Sequence, residues 1–539
     1  MTANLRRFAT VLAGLLLTGG NLIAVEPLLP ADRPIPEVID AYIDAKLQQV
    51  KLSPAPPADE HTLVRRLYLD LAGRIPTADE ARAYVLSTNP DRRNKLIESL
   101  LGSPEYVRHN ATEFDQLLSC GNPDAPSVRA YLLSAFREKR PWDRMFRELL
   151  GVAPAPDKPE QFILKRLKDT DMLARDVSSV FFGLNITCAQ CHKHPHIRSI
   201  TQDYFFGMKA FFARSYDFQD NLVERQYAEP VQYKAKNGEM RLIGPMFLDG
   251  TKVELPAAGV VNLAKAVQDE SKQIQELGKT YAKTKQMPAL ADFNLRVRLA
   301  NIALQDPNRE RFARAIVNRL WHRFHGYGLV MRLDQMHAEN DPSHPELLAW
   351  LSRDFIAHHY NLSRLIRGLV SSKTYARSSQ WTLPEPPKLE LFAVARLRPL
   401  TPMQWGLSHR VASNPARLKS AMNDKLLEIL EGEARKNFGK LIEQPCEDLQ
   451  IGITESMKLS NDVALLKLTG DELVPLLLKM PERRPQIEGA VWTVLSRPPT
   501  EGEYRLLGTY LEERKDRPAD ALQQVVWALF NGAEFRFNH

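Results

Sequence analysis

Apolar residues return every three or four positions over most of the chain. Ile39, Tyr42, Ile43, Leu47 and Val50 recur at this spacing between charged residues, which predicts an amphipathic helix. Pro54, Pro56 and Pro57 end it. A second helical pattern carries Val64, Leu67, Tyr68 and Leu71 and stops at Gly73. Thr77 and Glu80 have the spacing of a capping box, in which each side chain takes a free amide of the first turn. Leu96 to Leu101 before Gly102, and Ser103-Pro104 as N-cap with proline at the first helical position, extend the array to about Leu150.

The period changes near Phe212. Aromatic and β-branched residues alternate with the turn dipeptides Asn237-Gly238 and Asp249-Gly250, so a small β insert is expected near 213–256. Val260 to Lys285 returns to a charged helical pattern. From about Asp292 the chain reads as helical to its end, with a further capping box expected at Ser343 and Glu346. The fold expected is mainly α, two helical domains with a small β insert. The units are 33–212, 213–291 for the insert and a helical connection, and 292–539.

The first residues have a different purpose. Arg6 and Arg7 precede an apolar run from Phe8 to Leu17 and then Thr18, Gly19 and Gly20, the order of a secretory signal, assigned to residues 1–24. No later stretch approaches the roughly 18–20 apolar residues a membrane helix needs, so no membrane span is expected after signal removal. The expected location is periplasmic or extracellular.

Charge and composition narrow the class. Lys and Arg number 72 against 65 Asp and Glu, and the excess of +7 is spread along 539 residues without a basic tract, so nucleic acid is not an expected partner. With 37 Pro and 26 Gly, the chain suits helices joined by Pro-rich connections, not a many-stranded sandwich. No Gly-rich phosphate loop, G-x-S-x-G or H-E-x-x-H string occurs.

One string carries chemistry. Cys188-Ala189-Gln190-Cys191-His192 has the C-x-x-C-H spacing at which two thiols add to haem vinyl groups while the adjacent imidazole ligates iron. Cofactor candidates are therefore Cys188, Cys191 and His192, holding one haem c. Two other readings stay open. His192, His194 and His196 alternate, and with the thiols they could hold a divalent metal in a metal-dependent enzyme. Alternatively, Cys188 and Cys191 form a disulfide in a non-catalytic helical binding protein. The partner would be a redox protein or an exported ligand. Phe205, Phe206, Phe211 and Phe212 either wall a haem crevice or fill the core, and Cys120 and Cys446 either pair or remain buried thiols.

Nearly the whole chain after the signal resembles a pair of domains of unknown function from large exported planctomycete proteins. These are an N-terminal cytochrome-associated PSCyt-type domain and a C-terminal PSD-type domain. The first resemblance rests on Thr62 to Gly73 with Ile75-Pro76-Thr77, on Ser103-Pro104-Glu105-Tyr106, and on Phe182-Gly183-Leu184 leading into the C-x-x-C-H. The second rests on Val317-Asn318-Arg319-Leu320-Trp321, Gly328-Leu329-Val330, Pro342 to Leu348, and Ala528 to Asn531 with Glu534-Phe535. The resemblance implies a cytochrome association. The PSCyt pattern continues Asp-His-Pro, an aromatic and Asp, whereas here Lys193 replaces the first Asp and His196-Ile197 stands at the other two positions.

Overall fold

The computed structural model describes residues 28–120, 127–227, 229–255, 262–415, 424–438, 461 and 469–539. The expected signal at 1–24 and Cys446 lie outside these residues. Helices make up 57% of the described residues and strands form only two-stranded sheets, so the chain is mainly α with a small β insert.

The helix caps follow from local chemistry. Thr77 and Glu80 form the reciprocal capping box, and Ser103 accepts the Tyr106 N–H with Pro104 at the first helical position. Gly73 ends the helix Glu60–Ala72 in the left-handed conformation expected of a glycine stop. The capping box expected at Ser343 and Glu346 does not form. His344 is the N-cap of the helix Pro345–Ala357 and no side chain caps it. Pro345 starts that helix one residue late for a Ser343 cap, and the Ser343 hydroxyl faces His344 Nδ1 at 3.1 Å instead.

In the insert, Ser215–Phe218 pairs antiparallel with Asn221–Glu224, and Val231–Lys234 with Met240–Ile243. Gly238 and Gly250 occupy the two expected turns at positive φ, +85° and +89°. The first hairpin turns on Gln219-Asp220, both at positive φ, a position that composition does not announce. The helix Leu263–Thr284 that follows carries no buried residue and lies on the surface.

Two hydrophobic cores hold the chain. One gathers residues from Ile35 to Ala393, and the other joins Leu69 and Ile75 to residues from Leu400 to Phe535. The helix Glu60–Ala72 serves both, since everything from Leu63 to Ala72 is buried, charged residues included. Its arginines reach the end of the chain: Arg65 donates to the Phe535 carbonyl at 3.1 Å and Arg66 to the His539 carbonyl at 3.0 Å. Asp70 accepts two N–H bonds from Arg398, at 2.8 and 2.7 Å, the Tyr375 hydroxyl at 2.7 Å and the Asn538 amide at 2.9 Å. No helix among the described residues is long and apolar enough to cross a membrane.

Neutral histidines are part of this packing. Burial, then Arg410, lowers His409 to about 3, and burial, then Lys46, lowers His344 to about 4. Unfolding lets both rings protonate near the ordinary value of 6.5, so their contribution to stability is full above pH 6.5 and is lost as pH falls toward 4. At pH 5 the penalty is about 2 kcal/mol per ring. Urea unfolding at pH 7 and pH 5 should show the loss, with a shallower pH slope for His409→Gln. Equal slopes for the two proteins would contradict this.

Candidate functional site at the C-x-x-C-H turn

The C-x-x-C-H segment is positioned by a glycine and by a loop from the other half of the chain. The helix Thr170–Phe182 ends at Gly183, whose φ of +63° suits a residue without Cβ. A Cβ there would meet Met336 Sδ at 2.6 Å, so any larger residue would have to displace the Met336 side chain as well as strain the backbone. Leu184 then bridges Gln335 antiparallel, the Asn185 N–H donates to the Asp334 carbonyl at 2.7 Å, and the Met336 N–H donates to the Gly183 carbonyl at 2.9 Å. The Asn185 amide also donates to the Asp334 carboxylate at 2.9 Å. These bonds satisfy irregular backbone and fix where the next turn begins.

That turn is the 3-10 helix Thr187–Gln190, anchored by buried Ile186 and Ala189. Cys188 and Cys191 are exposed and free, not joined to each other. Cys120, read as a buried thiol or half of a pair, is also free and exposed. Phe205, Phe211 and Phe212 sit in the core, and Phe206 stacks on Tyr233 with ring centroids 4.2 Å apart. These aromatics pack the protein interior.

Three histidines gather here. His194, His196 and His337 have ring centroids 5.9–6.0 Å apart, with His196 and His337 nearly parallel. His192 is exposed beside them in sequence. His337 comes from the 334–337 loop and was identifiable in the sequence only as a polar residue near Asp334 and Asp341. Among the described residues, no three His, Cys, Asp or Glu side chains form a group ready to hold a metal ion.

Hydrogen bonds to the backbone decide what each ring can do, because a peptide N–H only donates and a carbonyl only accepts. His194 Nδ1 accepts the N–H groups of His196 and Ile197 at 3.3 and 3.2 Å, and His337 Nδ1 accepts the Glu339 N–H at 3.2 Å. Both rings are therefore neutral with the proton on Nε2. Burial, reinforced by the neighbouring imidazoles, holds both below the ordinary histidine value. His192 is the reverse case. Its Nδ1 lies 2.7 Å from the Lys193 carbonyl, so Nδ1 carries the proton and Nε2 keeps its lone pair. A hydrogen bond from the second ring nitrogen to a carbonyl is what fixes a metal-ligating histidine.

The class is thus a mainly helical chain whose C-x-x-C-H turn is held by a loop from its second half. Residues 38–217 match the PSCyt2 family model, a protein of unknown function (DUF1549), and residues 295–407 match the PSD1 family model, a protein of unknown function (DUF1553). The segment that carries the C-x-x-C-H is thus similar to the PSCyt2 model, and the segment that supplies the loop to the PSD1 model. No curated protein and no solved structure matches it.

The tautomers can be read by long-range nitrogen–proton NMR. His194 and His337 should show the Nε2–H form near pH 7 and His192 the Nδ1–H form. An Nε2–H signature at His192 would contradict the assignment.

Proposed function

We propose that Cys188 and Cys191 attach one c-type haem covalently, that His192 Nε2 is its proximal ligand, and that the protein works in electron transfer. The observation that carries this is the coincidence, on one short turn, of two free outward thiols with an imidazole whose Nδ1–H is held by a backbone carbonyl. When bound, the haem would supply one-electron exchange. The chain's residues prepare the place: Lys193 orients the His192 ring, Ile186 and Ala189 anchor the turn, and the Asn185–Asp334 bonds keep it against the PSD1 loop. Its exposed position suits a redox partner that approaches from solvent. This reading also requires export to the periplasm or cell exterior, where the residue 1–24 signal would send it.

A second reading has one observation in its favour. His194, His196 and His337 converge, and a divalent metal bound there or with His192 would make this a metal-dependent site. Against it, His194 and His337 present Nε2–H and use Nδ1 as an acceptor, so two of the three rings must break backbone bonds to offer a lone pair.

Expression with export and haem-attachment machinery separates the two. Denatured, reduced protein should keep a haem absorbance on a gel and gain about one haem of mass, and Cys188→Ala with Cys191→Ala should abolish both. His192→Ala should change the spectrum while leaving the covalent attachment. Matured protein without haem but with stoichiometric metal would establish the second reading instead.

A further inference from the structure

Away from that turn, a cavity of about 360 Å³ opens where the helices Pro104–Ser119 and Asn308–His325 meet the segment 396–399. Its volume is in the range of small-molecule sites. We propose that it binds a small organic carboxylate with an apolar body.

The charge of the lining is the first reason. Four guanidiniums, those of Arg319, Arg323, Arg396 and Arg398, face two carboxyl groups, Asp70 and Glu113. Arg398 is held bidentate by Asp70. Arg323 donates to Asn110 Oδ1 at 2.8 Å and stands 3.9 Å from Glu113. Arg396 gives one N–H to the Gly326 carbonyl at 2.7 Å, and no described carboxylate lies within ion-pair distance of it. A planar guanidinium with donors to spare matches a carboxylate.

Gly326 sets this geometry. It has a φ of +74°, and a Cβ there would come within 3.1 Å of the side chains of both Arg396 and Arg398. The same positive field shows at His322, which also lines the cavity. Burial, then Arg396, Arg398 and Arg319, lowers its pKa to about 4, so it faces the cavity as a neutral ring. Glu113 Oε1 is buried without a hydrogen-bond partner, and burial raises the carboxyl toward its protonated form, which can donate to an anion.

The apolar wall is the second reason. Phe114, Leu117, Ile316, Leu320 and Leu333 also line the cavity, together with the half-exposed Leu397. A bare inorganic anion would leave that wall without contact, whereas an aromatic or short aliphatic body covers it while its carboxylate meets Arg396.

Calorimetric titration of the full chain with benzoate, phenylacetate and hexanoate tests this, with the corresponding amides as uncharged controls and inorganic phosphate as a bare anion. At least one carboxylate should bind saturably below about 10 mM, and at least about tenfold more tightly than its amide and than phosphate. Arg396→Gln should weaken it by about tenfold or more without changing the melting temperature, and Arg396→Lys should recover part of the loss. If none of the three binds, if the amides or phosphate bind as tightly, or if Arg396→Gln leaves affinity unchanged, the proposal is wrong. The haem site and this cavity share no residue, so a failed haem test leaves the titration informative.

Discussion

A carboxylate removed from water costs several kcal/mol unless cations and hydrogen-bond donors surround it. Asp70, only 3% exposed, meets that requirement with donors drawn wholly from the second half of the chain: Arg398, Tyr375 and Asn538. Arg65 and Arg66 on the same helix make the matching demand with the opposite charge. They meet part of it with carbonyls of residues 494, 535 and 539 and of Arg377, while Arg65 Nε and Arg66 Nη2 stay buried without a hydrogen-bond partner. The helix Glu60–Ala72 can therefore be buried on all sides only if the PSD1 half and the C-terminal segment close around it. The cavity above depends on the same closure, because Asp70 and Arg398, bound to each other, both line it.

Backbone satisfaction plays the corresponding part at the C-x-x-C-H turn. Residues 183–197 are mostly irregular, and their peptide groups find partners in the 334–337 loop, in local turns and in the His194 ring. The imidazoles thereby acquire distinct roles. His194 and His337 are acceptors of backbone N–H and stay neutral, whereas the Lys193 carbonyl holds the His192 proton on Nδ1. A haem or metal site here would be built by both halves of the chain, since removing the PSD1 loop would free Asn185 and uncover Gly183.

Local structure was legible in the sequence wherever the signal is local. Thr77–Glu80, Ser103-Pro104, Gly73 and the turns at Gly238 and Gly250 each act through neighbours a few residues away, and each forms. Ser343–Glu346 has the same letters and fails, because Pro345 and the buried His344 set the helix start. The buried charges of the helix Glu60–Ala72 were not legible, since Arg65, Arg66 and Asp70 look like a solvated face until partners more than 300 residues away are placed. The site divides similarly. Cys188, Cys191 and His192 stand out by spacing, while His337 and Asp334 join them through a long-range bridge that no periodicity encodes.

The Asp70–Arg398 pair carries the claim that one buried charge cluster holds the two halves together, and a double-mutant cycle measures it directly. Guanidinium unfolding of wild type, Asp70→Ala, Arg398→Ala and the double variant gives the coupling. Each single change should cost about 3–5 kcal/mol by leaving its partner's charge buried and unpaired. The double variant should cost less than their sum by at least about 1 kcal/mol. Costs that add to within about 0.5 kcal/mol, or an Asp70→Ala protein as stable as wild type, would contradict the account.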